Sequence, residues 1–224
     1  STGDWLKLIN KKILDLKKRK KIAILVGGTG LYFIALTNGL VNIPNIPIKL
    51  RTKIRSLHKK LGSKNFFSEL NKLDPLVKNR IKPSDTQRCI RAYEVKLFTK
   101  KSIYSWFKNT RSLYEQKDFH KIYLDFPRND LLNRISLRVQ EMMKNGAVLE
   151  VKKFVRLKVP KDKTANKAIG IREVKEYLNK KIDIEEVIEK ISIKTRQYAK
   201  RQSTWARGNM QNWNKMNPTQ LKNF

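Results

Sequence analysis

Trp5, Leu6, Leu8, Ile9, Ile13 and Leu16 recur at helical spacing between lysines, so the chain opens on an amphipathic helix. A basic run, residues 17–21, leads into Ile22-Ala23-Ile24-Leu25-Val26, which reads as a short β-strand. Gly27-Gly28-Thr29-Gly30 ends that strand, and residues 31–36 (LYFIAL) have helical character. Helix, strand, loop and helix in this order form the α/β pattern of a parallel sheet. The chain enters that pattern midway, so the first strands of the sheet are expected to be missing from it.

Residues 42–47 (NIPNIP) break regularity and mark a boundary. Only helices are expected beyond it, over residues 50–61, 65–73, 74–81 and 85–99, with Ser84 as the N-cap of the last. Tyr104, Trp106 and Phe107 sit in a less regular stretch. Residues 121–126 (KIYLDF) alternate as a returning strand would. Pro127 and Asp130 introduce a helix over 131–144, and further helices follow at 147–156, 171–178 and 184–207. The Asn-rich tail is expected to fray. The predicted organisation is a core part over 1–40, a helical insertion over 41–117, and a mostly helical second core part over 118–224.

The charge changes the picture. Among 224 residues, 51 are Lys or Arg and 19 are Asp or Glu, a formal net charge of +32 that favours a polyanionic partner. Lys, Ile and Asn crowd the chain as AT-rich coding would produce, so drift is a competing source of the charge. Its distribution is asymmetric: residues 1–60 hold only Asp4 and Asp15, residues 194–224 hold no acid, and acids cluster over 183–189 (DIEEVIE). Cys89 stands alone, which excludes an internal disulfide and a Cys-rich zinc site. His58 and His120 are too isolated to suggest a metal site. No apolar run approaches the length of a membrane span, and no secretory leader is visible. A cytoplasmic location with no membrane partner is the expectation.

Residues 195–207 (TRQYAKRQSTWAR) concentrate the candidate chemistry. Arg196, Lys200, Arg201 and Arg207 lie there with Tyr198 and Trp205 and without an acid. Arg196 and Lys200, four apart, share one helical face that can hold phosphate, since no carboxylate competes. A solvated basic helix is the bland alternative. The Gly27–Gly30 loop lets backbone approach a ligand, with the Thr29 hydroxyl at hand. No Gly-Lys-Ser/Thr follows, so it is no phosphate-cradling loop, and a simple tight turn is an equal reading. In residues 81–95 (IKPSDTQRCIRAYEV), Arg88 and Arg91 share a face beside Gln87. They suit RNA contact, or equally surface salt bridges with Asp85 or Glu94. Arg134 and Arg138, four apart, could clamp a diphosphate, and residues 166–172 (NKAIGIR) form a weaker anion candidate at a loop-to-helix junction.

Taken in order, these segments resemble the tRNA dimethylallyltransferases, also called tRNA isopentenyltransferases. The matching stretches are LVGGTGLY around Gly27 to Tyr32; Asp74-Pro75; Pro83, Asp85, Arg88 and Arg91 with RAYEV; Arg134 and Arg138; AIGIREV; and TRQYAKRQSTWAR. The resemblance implies a P-loop-NTPase-like parallel-sheet core with an inserted all-helical domain that grips the anticodon stem-loop. It implies transfer of a dimethylallyl group from dimethylallyl diphosphate to N6 of the adenosine 3′ of the anticodon, with Mg²⁺ assisting and a monomer acting. It places Thr29 at the target adenosine and Arg138, Arg196, Lys200 and Arg201 on the diphosphate. It assigns tRNA contacts to Arg51, to Gln87, Arg88, Cys89, Ile90 and Arg91, and to Lys167, Ala168, Ile169, Gly170, Ile171 and Arg172.

The family pattern begins with a GPTASGKS-like P-loop and, soon after, an aspartate that acts as general base. This sequence carries neither, so weak or no turnover is expected of these residues alone. Two other readings follow: a non-catalytic tRNA-binding remnant of the family, and a nucleotide kinase fragment of the same fold. The latter leaves TRQYAKRQSTWAR and the +32 charge unexplained.

Overall fold

The computed structural model describes residues 1–160 and 163–218. Two compact units emerge from the contacts: Ser1–Leu25 with Leu31–Phe119, and Val26–Gly30 with the chain from His120 onward. The architecture is α/β, largely helical with one small parallel sheet. Among the described residues no helix is long and apolar enough to cross a membrane.

The first unit is all helix. Helix α1 (Thr2–Lys18) starts on a capping box in which Ser1 and Asp4 satisfy each other's end of the helix, and Trp5 stacks on Tyr32 of α2 (Gly30–Thr37) at 4.5 Å. Helix α3 (Ile48–Leu73) breaks at Gly62, whose φ of 71° suits a residue without Cβ, so the two expected helices are two arms of one kinked element. A short 3-10 turn, Pro75–Val77, replaces the helix expected over 74–81. Pro75 cannot donate to a helical ladder, and Asp74 enters it with extended rather than helical backbone. Helix α4 (Thr86–Thr99) is capped by Asp85, whose carboxylate accepts the Arg88 N–H at 3.2 Å; Ser84 lies one residue too early. Helix α5 (Ile103–Phe107) follows. Phe66, Leu70, Val77, Ala92 and Val95 are fully buried where α3 and α4 pack together.

The second unit pairs β1 (Ile122–Leu124) in parallel with β2 (Asn214–Met216). Residues 214–216 of the tail expected to fray therefore supply a strand, which Lys215 ties further to Asp125, while residues 219–224 lie outside the described residues. Helices α6 (Arg128–Lys144), α7 (Ala147–Arg156), α8 (Ile171–Leu178) and α9 (Ile184–Asn209) surround a core of Ile135, Val139, Val174, Val187 and Ile191. Helix α9 starts at the expected Ile184 and ends at Asn209, two residues past Arg207.

One expected element is absent. Residues 22–26 form no strand, and Ile22, Ile24 and Val26 are 91%, 84% and 90% exposed. The alternating pattern is present, but a strand exists only through its lateral partner, and no described residue pairs with this segment.

Candidate functional site

In the second unit the glycine loop closes directly on α9. Gln202 Nε2 donates to the Gly28 carbonyl at 3.1 Å, and a Cβ built on Gly30 would lie 1.9 Å from the Trp205 ring. Absence of a side chain at Gly30 is thus a packing requirement. Thr29, between the two glycines, is held exposed on this surface. Trp205 is half-buried against the loop, and beside it lies an open depression of about 440 Å³ lined by Gln197, Lys200, Arg201, Thr204 and Trp205.

Cations dominate this surface. Arg196, Lys200 and Arg201 are exposed on α9, and Arg201 lies over the Tyr198 ring at 5.6 Å. Arg138 is exposed on α6, which packs along α9, whereas Arg134 lies over the Phe126 ring at 5.0 Å. Among the described residues no carboxylate is within ion-pair distance of Arg138, Arg196, Lys200 or Arg201. Their charge is uncompensated, the condition under which guanidinium and ammonium groups hold phosphate. The structure gathers Thr29, Lys200 and Arg201 about one stretch of α9; Arg138 stands on the neighbouring helix.

Residues 167–172 lead into α8. Lys167, Ala168, Ile169 and Arg172 are exposed; Gly170 is buried with a φ of 104°, and Ile171 packs on the core. Glu173, only 2% exposed, fixes this turn: its carboxylate accepts the Gly170 N–H at 3.0 Å and pairs with Lys194 of α9. Burial pushes the Glu173 carboxyl upward, but the Lys194 ammonium and the backbone N–H donors outweigh it and hold it below the ordinary value of 4.5. A depressed carboxyl stabilises the fold above its unfolded-state value, and that contribution is lost as pH falls through the folded-state one. The melting-temperature gap between wild type and Glu173→Gln is therefore expected to be widest above about pH 5 and to close on acidification. A gap constant with pH would contradict this role.

The first unit carries its own basic face. Arg51 of α3 and Arg91 of α4 both approach Glu94, at 3.6 and 3.5 Å. Arg88 pairs with Asp85 at 3.3 Å. The salt bridges raised as the bland alternative are thus both formed, yet all three arginines keep much of their side chain in solvent. Gln87 and Arg88 border an open depression with Arg80, Lys82 and Ser84. Arg80 and Lys82 escaped the sequence reading, although they lie just before Pro83, which precedes the α4 cap. Cys89 is 1% exposed in the core and its thiol donates to the Lys82 carbonyl, so it presents nothing to a ligand on this face. Burial raises the thiol's pKa further from reactivity. Ile90 is half-buried against the same core. Alanine at Arg88 or Arg91 is expected to weaken tRNA binding by about 1–3 kcal/mol each. Unchanged affinity in a filter-binding titration would return them to structural surface pairs.

Among the described residues no group of three or more His, Cys, Asp or Glu side chains could hold a metal ion.

A glycine loop closed onto a cationic helix in one unit, and a second basic face on the other, helical unit, define an α/β protein with two exposed cationic surfaces. A family model described as IPP transferase matches residues 1–209. The tRNA dimethylallyltransferase of Pelagibacter ubique is 53% identical over 224 residues, 100% of this chain and 72% of that protein. That of Rickettsia massiliae is 41% identical over 208 residues, 92% of this chain but 57% of its own length. Among solved structures, the full-length tRNA isopentenylpyrophosphate transferase of Bacillus halodurans is 30% identical with a TM-score of 0.61, covering 97% of this chain and 67% of that one. A eukaryotic dimethylallyltransferase acting on tRNA is 27% identical with a TM-score of 0.76, covering 92% and 52%. The chain belongs to the IPP transferase family.

Proposed function

We propose that the chain transfers the dimethylallyl group of dimethylallyl diphosphate to N6 of the adenosine 3′ of the anticodon in tRNA. Its 53% identity along the whole chain to a tRNA dimethylallyltransferase carries this reading. In the reaction the bond between the allylic carbon and the diphosphate oxygen breaks, the new bond forms to N6, diphosphate leaves with the electron pair, and N6 loses a proton. The leaving group gains charge as it departs, so cations fixed beside it lower the barrier.

Uncompensated Arg138, Arg196, Lys200 and Arg201 are suited to that task, and exposed Thr29 to touching the flipped-out adenosine. The anticodon stem-loop lies against Arg51, Gln87, Arg88 and Arg91, and against the exposed residues of the 167–172 turn. Mg²⁺, implied by the resemblance, would neutralise charge on the departing diphosphate, with the cations of α6 and α9 alongside. The enzyme acts as a monomer in the cytoplasm, where tRNA is found. These 224 residues include no Gly-Lys-Ser/Thr loop, so turnover by them alone is expected to be weak.

Titration with a labelled anticodon stem-loop at rising salt tests the RNA half of this reading. Affinity is expected to fall steeply and linearly on a logarithmic plot. Salt-independent or absent binding would overturn it.

A further inference from the structure

We infer that Glu94 is a positioning residue that holds Arg51 and Arg91 together as one anticodon-stem phosphate clamp. This rests on the RNA-binding reading above.

Glu94 is the only acid between Asp85 and Glu115, and it is 2% exposed between α3 and α4. Each of its oxygens faces a different helix's arginine: Oε1 lies 3.6 Å from Arg51 Nε, and Oε2 lies 3.5 Å from Arg91 Nη1. Both arginine side chains remain 44% and 42% exposed. One carboxylate thus organises two guanidinium groups at the surface, and the trio keeps a net positive charge. A guanidinium has five N–H donors, and these contacts engage one nitrogen of each, leaving donors to face a phosphate.

Stability alone accounts poorly for the arrangement. A buried carboxylate carries a desolvation penalty that an apolar residue in its place would avoid. The carboxylate is also incompletely satisfied, since Glu94 Oε1 and Arg51 Nε each lack a hydrogen bond. What the penalty secures is fixed geometry: two long, rotamer-rich side chains are ordered before RNA arrives, so binding does not bear that entropy. Arg88, held only by the half-exposed Asp85, has no such support.

The inference has a sign opposite to plain electrostatics. Deleting an acid from a surface that binds a polyanion should tighten binding. Deleting a positioning acid should weaken it. We expect Glu94→Gln to weaken binding of an anticodon stem-loop RNA by about tenfold and to flatten the salt slope by about one phosphate contact. Glu94→Asp keeps the charge but withdraws it by one methylene, and it too should weaken binding severalfold. It remains informative if Glu94→Gln fails to fold. In an Arg51→Ala/Arg91→Ala background Glu94→Gln should have no further effect on affinity. Tighter or equal binding by the folded Glu94 variants overturns the inference, as does the same loss in both backgrounds. Absence of salt-dependent binding by wild type would instead overturn the RNA-binding reading beneath it.

Discussion

Arg138→Ala is expected to slow prenyl transfer by about 10²- to 10³-fold while leaving tRNA affinity within about twofold. Arg138 is exposed on α6, has no carboxylate partner among the described residues, and stands on the helix that packs along α9. A cation so placed has no salt bridge to lose, so its removal should cost the fold little. The proposed diphosphate role places its value in the charge that grows on the leaving group, an interaction stronger in the transition state than in the ground state. The effect therefore belongs in kcat rather than in RNA binding. Single-turnover kinetics, with the chain joined behind the P-loop segment of an active family member, separate the two. Equal losses in rate and in tRNA affinity would contradict a diphosphate role.

Gly30→Ala is expected to have the largest effect on the integrity of the site. On propensity alone the change would help, because alanine in a helix is favoured over glycine by about 1 kcal/mol. Packing reverses the sign. The new Cβ would stand 1.9 Å from one Trp205 ring carbon, with two others within 2.6 Å, so the ring or the loop must move. Overpacking of this kind costs about 1–3 kcal/mol, and the displaced loop carries Thr29 with it. Thermal melts should fall by several degrees and product formation should drop together with them. Gly28→Ala is the control: its Cβ would meet only the amide end of Gln202, a flexible side chain that can swing aside at the cost of one hydrogen bond. A Gly30→Ala variant as stable and active as Gly28→Ala would contradict the close packing of loop and helix.

Much of the helical scaffold was legible in the sequence because local periodicity decides it: α6 to α9 follow their apolar spacing and α3 breaks at a glycine. What escaped depends on distant partners. Residues 22–26 have a strand's pattern but pair with no described residue, whereas Asn214–Met216 lacks the pattern and becomes a strand because Ile122–Leu124 lies alongside. Among site residues, the acid-free run 195–207 stood out, but that Gln202 and Trp205 are committed to the glycine loop was not visible. Cys89 fell inside a motif whose Gln87 and Arg88 are exposed, yet its own position on α4 points to the core. Glu94 and Glu173 could have been noticed as lone acids in basic stretches. Only the fold shows each buried behind a candidate RNA-contacting segment.

The most direct test is nucleoside mass spectrometry of tRNA incubated with dimethylallyl diphosphate, Mg²⁺ and the chain joined to a family P-loop segment, beside the chain alone. The account predicts N6-dimethylallyladenosine 3′ of the anticodon from the joined chain, with far less from the chain alone and far less when Arg138 is alanine. Unmodified tRNA from a joined chain that folds and binds it would contradict the proposed reaction.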